Sequence, residues 1–420
     1  MRRLLVILLV LLAGVVCSAV AREIKIATWN LGWHMDRSTA ADWIDACNGT
    51  YELDPATKKY RPSTEIGSAF GWDINAFDIE GWDVARFPVC DVYGANKQGF
   101  GFTTVRVTPE AYEKRATQIR NFIANSVPAD IIAFQEVSGE NAVLEVLPNG
   151  AADWEVCSFA TFKVQRLAIA WKKSLGSRIA CKTEDTLTLN QVRPPEEQPR
   201  PGLSLALDVD GSRIQVLNVH LKSSCVSPIG GNLLGGEAAA CRILHDQIVP
   251  LEMWIERETS VTDKTVILGD FNRNFWHELA DTKPVRGDSS DPTLPLPAGV
   301  RVNSLFEEIV DGQPASSAFA MLKEACPLNE VGKLLCETGE TRALDTPEMD
   351  VLRFHTYLGC RNPIGLDHIL LGPGLIASGD ATHAPIGRLG GSRHANKDNP
   401  QPLLGIADHC PLIAKFSTSP

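Results

Sequence analysis

Short apolar runs recur along the chain and predict buried β-strands. The runs are rich in β-branched residues and are bounded by turn-forming residues, a pattern typical of strands inside a sheet. They lie at residues 23–29, 130–135, 167–171, 204–208, 213–220, 265–269, 368–371 and 410–416.

Helical periodicity is clearest in two stretches, residues 109–125 and 236–258. Thr108 precedes Pro109, which suits an N-cap followed by a first-turn proline. Strands that alternate with helices at these spacings predict an α/β fold with mixed sheets.

Two long stretches lack this alternation of strands and helices. Residues 34–107 are rich in Gly and Asp and carry several tryptophans, and residues 275–352 are rich in Pro and Asp. Loops of this length without structure are uncommon inside compact domains. We therefore predict insertions, at about 34–107 and 275–352, that have some structure of their own.

The N-terminus resembles a secretory signal. Two arginines precede an apolar run at 4–16, and small residues follow up to Ala21. This pattern predicts a signal peptide at 1–21, and hence a secreted or periplasmic protein without stable membrane association. One alternative is a membrane anchor, for which the run falls short of the roughly 20 residues needed. Another is lipidation of Cys17, which the bulky Val16 disfavours.

Charge and cysteine content narrow the class of protein. A net charge of -11 argues against a protein that coats nucleic acid through bulk electrostatics, but it allows an enzyme with a local basic site. Of the 11 cysteines, an even number remains without Cys17, which suggests disulfides formed in an oxidising compartment. The favoured pairs are Cys225 with Cys241 and Cys326 with Cys336, and a Cys47–Cys90 pair would pin the first insertion.

Polar side chains close, follow or directly precede most of the predicted strands. They are Asn30, Gln135, Glu136, His220, Asp270, Asn272, Asp367, His368, Asp408 and His409. Each signal alone is weak, because a single Asn after a strand is usually a turn residue and a single His is usually structural. Ligand sites in α/β sheets form at strand ends, so the ordered set predicts one common site.

The stretches I-A-T-W-N-L-G-W, I-I-A-F-Q-E-V, L-N-V-H-L-K-S, L-G-D-F-N-R, L-D-H-I-L-L and A-D-H-C-P-L span residues 26–412. In this order they resemble the endonuclease/exonuclease/phosphatase (DNase I-like) superfamily, and look most like its secreted bacterial nucleases. The resemblance covers nearly all of 22–420 apart from the insertions. It implies a four-layered α/β sandwich, with two mixed β-sheets packed face to face, helices outside and the site at one edge.

The resemblance also implies a role for each of these polar residues. Glu136 is similar to the principal metal ligand, assisted by Asn30 and Asp408. Oxygen donors of this kind suit Mg²⁺, with Mn²⁺ or Ca²⁺ as alternatives. Asp270 would orient the attacking water, and Asn272 would hold a phosphate oxygen.

Two histidines complete the implied catalytic set. His409 would contact the phosphoryl group or take part in proton transfer, with Asp367 hydrogen-bonded to its other ring nitrogen. His220 matches a second catalytic histidine, which would protonate the leaving alkoxide.

The substrate expected from this resemblance is nucleic acid, DNA or RNA with DNA favoured, cleaved by a monomeric enzyme. Four cations are candidates for contacts with flanking phosphates, although each is equally typical of a solvated surface. They are Arg166, Lys222, Arg242 and Arg273.

Three alternatives remain open. The first is a sphingomyelinase-like phospholipid diesterase that docks through the aromatic residues of the first insertion. The acidic residues Asp73, Asp78, Glu80 and Asp83 disfavour it, since they would repel anionic membranes. The second is a phosphatase with the same site. The third is a catalytically inactive binding or toxin subunit, disfavoured by the complete polar set.

Overall fold

The computed structural model describes residues 22–75, 78–97, 101–228, 238–280, 304–325, 327, 358–360 and 365–418. The predicted signal peptide, the predicted Cys326–Cys336 pair and most of the second insertion lie outside these residues. No helix within the described ranges is long and apolar enough to span a membrane.

The strands, in chain order, are β1 (Glu23–His34), β2 (Thr50–Leu53), β3 (Tyr60–Pro62), β4 (Ala69–Phe70), β5 (Ala95–Lys97), β6 (Gly101–Thr103), β7 (Ile131–Val137), β8 (Trp154–Ser158), β9 (Arg166–Lys172), β10 (Ser177–Glu184), β11 (Gly202–Val209), β12 (Ser212–His220), β13 (Thr265–Asp270), β14 (Ala320–Met321), β15 (Asp367–Leu371), β16 (Leu375–Ala377), β17 (Thr382–His383) and β18 (Leu412–Thr418). The helices are α1 (Arg37–Asn48), α2 (Pro109–Ser126), α3 (Glu140–Val146), α4 (Ala238–Asp246), α5 (Ile248–Thr259), α6 (Phe275–Ala280) and α7 (Leu305–Val310).

Two mixed sheets form the body of the protein. The first has the order β16-β18-β1-β7-β9-β8, with β17 also paired to β18, and the second has the order β10-β11-β12-β13-β15-β14. Apolar side chains from both sheets meet in one buried cluster that includes Ile26, Ile169, Leu205 and Leu268. The two sheets therefore pack face to face.

Helices cover the outer face of each sheet. On the first sheet, Ile119 and Phe122 of α2 pack with Phe134. On the second, Leu251 and Trp254 of α5 belong to a separate buried cluster. The fold is the predicted four-layered α/β sandwich, because each sheet is buried on both faces.

All eight predicted strands are present, with small differences at their ends. The first strand continues to His34 through an irregularity in its pairing with β7. The last begins at Leu412 rather than at residue 410. The helix predicted at 236–258 is two helices, α4 and α5, with Gln247 between them. Pro250 explains the break. Proline has no backbone N–H to donate to the Asp246 carbonyl, and its ring clashes with that carbonyl, so a single helix cannot continue through this point.

Residues 34–107 are largely folded. Trp43 of α1 packs edge-to-face against Trp72, with ring centroids 5.3 Å apart, and lies in a buried cluster with Tyr93. The disulfide Cys47–Cys90 joins the helix to the end of this stretch. A small core and a cross-link together account for the order of a segment that lacks the strand pattern of the main sheets.

Four disulfides lie in the described part of the chain. They are Cys47–Cys90, Cys157–Cys181, Cys225–Cys241 and Cys360–Cys410. The favoured Cys225–Cys241 pair is confirmed. Disulfides in this number are typical of an oxidising environment.

A buried polar contact joins the sheets directly beneath their polar strand ends. Gln135 of β7 donates from Nε2 to Oδ1 of Asn218 in β12 at 2.8 Å. Asn218 in turn donates to the carbonyls of Phe134 and Ala168, at 3.0 and 3.1 Å. Because an unpaired buried polar group costs about 1–3 kcal/mol, this network favours one registration of the two sheets. It thereby fixes the residues that follow, Glu136 and His220, relative to each other.

Candidate active site at one edge of the sandwich

The polar residues predicted from strand ends meet at one edge of both sheets. In the second sheet His220 lies beside Asp270, and Asp270 lies opposite Asp367. In the first sheet Asn30 is paired with Gln135, next to Glu136. Parallel pairing of β1 with β7, and of β12 with β13, brings these carboxyl-terminal ends together.

Asp270 lies at the centre of this edge. Its Oδ2 accepts a hydrogen bond from Asn30 Nδ2 at 3.0 Å, across the two sheets. Its Oδ1 accepts one from the backbone N–H of Asn272 at 2.8 Å. Burial raises the pKa of the Asp270 carboxyl to about 7, with His409 opposing the shift and Asp367 adding to it.

His409 and Asp367 form a buried pair beside Asp270. His409 Nδ1 donates to Asp367 Oδ2 at 2.7 Å, and His409 Nε2 lies 3.7 Å from Asp270 Oδ2. Burial opposes the charged imidazole, but the charges of Asp367 and Asp270 outweigh it and raise the pKa of His409 well above its ordinary value. His409 is therefore a cation at neutral pH, with its Nε2–H facing Asp270.

The pKa of the second histidine, His220, is shifted in the opposite direction to that of His409. Its Nε2 lies 3.5 Å from Asp270 Oδ2 and 3.7 Å from Glu136 Oε1. Burial, with the nearby Arg200 and His409 charges, lowers the pKa of His220 well below its ordinary value. Its Nδ1 is buried and has no hydrogen-bond partner among the described residues. The free protein thus holds a neutral imidazole beside a cationic one.

Glu136 and Asp408 form the acidic side of the site. Glu136 has a φ of +57°, at an irregularity in the pairing of β7 with β9, which turns it out of the strand. Gly32, with a φ of +55°, brings the backbone so near that a Cβ there would lie 3.1 Å from Asp408 Oδ1. Burial raises the pKa of Glu136, Arg200 opposes the shift, and the Asp408 charge adds to it.

These residues fit a divalent cation. Two mutually repelling carboxylates beside the Asn30 amide supply hard oxygen donors, and a cation between the carboxylates relieves their repulsion. A second possible set is Asp270, Asp367 and His409, whose donor atoms lie within 4.8 Å of one another. That set is a poorer choice, because His409 is bonded through Nδ1 to Asp367 and an imidazolium has no lone pair to offer.

Asn272 follows Asp270 in a left-handed conformation, with a φ of +53°. Its side chain donates from Nδ2 to the Leu221 carbonyl at 3.1 Å. The amide thus links β13 to the residue that follows His220.

Two of the four predicted phosphate-binding cations instead hold protein groups. Arg166 donates to the carbonyls of Ala85 at 3.0 Å and Phe162 at 3.3 Å, and also to that of Ser138. Arg273 donates from Nε to Glu278 at 2.6 Å and from Nη1 to a carbonyl at 3.0 Å. Their guanidinium groups are used to fix neighbouring loops, a use that sequence does not distinguish from phosphate contact.

Of the other two cations, Lys222 lies near His220, whose pKa its charge helps to lower, and Arg242 is exposed. Lys222 directly follows Leu221, and its Nζ donates to the Ser223 carbonyl at 3.0 Å. Arg242 is exposed on α4.

Arg200 is a site residue that the sequence pattern did not reveal. Its guanidinium bonds the side-chain oxygen of Gln165, and its Nε is buried without a hydrogen-bond partner in the described part of the chain. Burial lowers its pKa, while Glu136 and Asp270 oppose the shift. Arg200 stands in a proline-rich loop before β11, not at the end of a strand. Its sequence carries no signal of this position, which follows from the pairing of β11 with β12, the strand that ends in the site.

Comparisons with known proteins bear on the fold. No protein-family model and no curated protein matches this sequence. Among solved structures, the human Nocturnin catalytic domain with bound sulfate is 14% identical, with 73% of this chain and 87% of that chain covered and a TM-score of 0.41. An endonuclease/exonuclease/phosphatase family protein from Bacteroides thetaiotaomicron is 9% identical over 95% and 99%, at 0.44. ANGEL2, a 2′,3′-cyclic phosphatase, is 15% identical over 95% and 96%, at 0.41.

One of these structures is described as an endonuclease/exonuclease/phosphatase family protein, the superfamily that the sequence resembles. At identities of 9–15% and TM-scores of 0.41–0.44, these likenesses assign no role to any residue. The roles of individual residues in this chain rest on their own geometry.

Proposed function

We propose that this protein is a secreted, divalent-metal-dependent phosphodiesterase that hydrolyses nucleic acid, with DNA favoured. The observation that carries the proposal is the position of Asp270. Its carboxylate is bonded to Asn30 on the acidic side of the site and lies within 3.7 Å of both His220 and His409. A carboxylate between a cation site and two imidazoles is suited to activating water beside a phosphate.

Glu136, Asn30 and Asp408 would hold the metal, for which Mg²⁺ is favoured and Mn²⁺ or Ca²⁺ are alternatives. When bound, the cation offsets negative charge on the phosphate oxygens as water attacks.

Asp270 would accept the proton of the attacking water. Its pKa of about 7 makes it a base matched to neutral pH. The hydrogen bonds from Asn30 and Asn272 hold both carboxylate oxygens in place, so the base has a fixed orientation.

The cationic His409 would donate its Nε2–H to a phosphoryl oxygen, and Asp367 would fix the ring through Nδ1. His220 is neutral in the free protein, and the approach of an anionic phosphate favours its protonated form. In that form it would donate a proton to the leaving oxygen. Arg200 and Asn272 would hold the remaining phosphate oxygens.

A phospholipid diesterase is the second candidate, and one observation favours it. The first insertion exposes Leu53, Ile66 and Phe70, side chains suited to a membrane surface. The acidic residues expected to oppose membrane docking are mostly paired with cations, as in Asp73–Arg106 and Glu80–Arg61, so that objection loses force.

A substrate panel separates the two candidates. Mature protein, residues 22–420, would be incubated with supercoiled plasmid, RNA or sphingomyelin vesicles, in Mg²⁺, Mn²⁺, Ca²⁺ or EDTA. We expect metal-dependent nicking of the plasmid that EDTA abolishes. Intact plasmid and RNA in every metal, together with turnover of sphingomyelin, would overturn the nuclease proposal in favour of the lipid one.

A further inference from the structure

A cleft with a cavity volume of about 450 Å³ opens beside the acidic side of the site, with Asp408 in its wall. This volume lies within the range of about 300–1,000 Å³ that is typical of small-molecule sites. Trp33, Tyr93, Arg388 and Arg393 line it together with several glycines. None of these residues has a role in the reaction as described above.

Several separate segments build the cleft. Residues 32–33 lie in the last part of β1, residues 92–94 belong to the first insertion, and residues 387–393 and 405–408 precede the last strand, with Arg115 and Gly359 completing the lining. The first insertion therefore contributes one wall beside the candidate metal ligands.

The buried Arg115 ties these walls together. Its guanidinium donates to the carbonyls of Leu31 at 2.6 Å, and of Gly405 and Ile406 at 2.8 Å each. The same guanidinium lies 4.8 Å from the centre of the Tyr93 ring. The walls are thus joined to the residues that adjoin Asn30 and Asp408, so the cleft and the acidic side of the site form one unit.

Trp33 gives the cleft an aromatic wall. It is partly exposed, and it has a φ of +60°, a conformation that residues other than Gly and Asn seldom adopt. The hydroxyl of Tyr93 donates to the Trp33 carbonyl at 3.1 Å and holds that conformation. An indole in the wall of a cleft is a surface on which any base can stack.

Arg388 and Arg393 supply positive charge. Both side chains are exposed, and neither forms an ion pair with any described residue. Gly391 beside them leaves open space, because a Cβ there would meet nothing within 4 Å, whereas Gly390 packs against the backbone of Gly359. Arginine side chains of this kind bind phosphate oxygens without reading base sequence.

We propose that this cleft binds the nucleotide next to the scissile bond, with its base on Trp33 and its phosphate at Arg388 and Arg393. The inference rests on the proposed nuclease function and deepens it. A base must leave a duplex before it can stack on a protein side chain, so the preferred substrate is single-stranded or frayed nucleic acid.

Binding of a fluorescein-labelled single-stranded oligonucleotide tests this inference. Anisotropy would be measured with Mg²⁺ in a His409→Ala background, which slows turnover about 10³-fold, for this parent and for its R388Q/R393Q derivative. We expect the Kd to rise about tenfold or more, and the salt dependence to weaken by about 0.7 in log–log slope for each lost contact. Trp33→Leu should weaken binding at least about fivefold, because stacking is lost while an apolar side chain is kept.

Arg178→Gln is the matched control, since Arg178 is exposed on the edge strand β10 and pairs with Leu207 at the end remote from the site. The R388Q/R393Q changes would also be made in the otherwise wild-type enzyme. There the fall in kcat/KM for the oligonucleotide should exceed the fall in kcat/KM for bis(p-nitrophenyl) phosphate by at least about tenfold.

The outcomes separate this inference from the proposed function. If R388Q/R393Q binds the oligonucleotide as tightly as its parent, the cleft proposal is overturned. A wild-type protein that cleaves the small diester, whose His409→Ala form binds no oligonucleotide, also overturns it, while phosphodiesterase chemistry stands. If the His409→Ala protein binds oligonucleotide through this cleft but the wild type cleaves no diester in any metal, the proposed function alone is overturned.

Discussion

We expect His409→Ala to lower kcat for phosphodiester hydrolysis by about 10³-fold, within the 10²–10⁴ range of a general acid or base. The variant loses the one imidazole that its carboxylate neighbours hold cationic, and with it the Nε2–H beside Asp270. Initial rates on bis(p-nitrophenyl) phosphate measure the effect, and a thermal melt shows that the variant folds. His245→Ala is the matched control, because His245 lies on α4 beside Leu189 and Val249, in the outer layer.

The pH profile distinguishes proton transfer from a structural effect. In Asp367→Asn the nearest negative charge is removed, so the pKa of His409 should fall. The alkaline limb of the kcat profile, where His409 loses its proton, should then move to lower pH. An unchanged limb, or a His409→Ala variant within threefold of wild type, would remove His409 from the mechanism.

Arg200→Met should reduce kcat/KM by about 10²-fold, the loss typical of one preorganised group that stabilises charge. Arg200 is half-buried and bonds Gln165, its Nε is buried and unpartnered among the described groups, and the charges of Glu136 and Asp270 act on its pKa. A phosphate would complete its hydrogen bonding. Arg200→Lys should restore part of the loss, because charge returns without the planar fork.

Two measurements distinguish phosphate binding by Arg200 from an indirect effect on metal binding. In Arg200→Met, a positive charge near Glu136 is lost, so the metal concentration that gives the half-maximal rate should not rise. Arg178→Met, a matched loss of an exposed arginine, should leave rates unchanged. Full activity in Arg200→Met would show that Arg200 serves only to hold Gln165.

The sequence predicted that polar residues at strand ends would meet at one place, and the structure brings them together at one edge of the two sheets. Asp270 closes β13, and His220 closes β12, so strand patterning alone placed them side by side. Arg200 was not predicted, because its long side chain reaches the site from a loop. The apolar and polar residues of that loop show no helical or strand periodicity. The distance it spans is set by tertiary packing, which local sequence does not encode.

The errors in the fold have similar causes. The strand β10 was missed because it is an edge strand with mostly exposed residues, so apolar alternation is weak. The prediction that Arg166 and Arg273 bind phosphate remains a prediction; in the structure Arg166 donates to the carbonyl of Ala85, which is far away in sequence, and Arg273 donates to the nearby Glu278. Residue type gives the chemistry a side chain can perform, and only packing selects its partner.

The most direct test of a metal-dependent phosphodiesterase at this site is the initial rate on bis(p-nitrophenyl) phosphate, with wild type and Glu136→Gln titrated side by side with Mg²⁺. We predict no turnover in EDTA, saturable activation of the wild type, and a Glu136→Gln protein that needs at least about tenfold more metal, since it loses a charged oxygen donor. Equal rates with and without metal, or identical activation of the two proteins, would contradict the account.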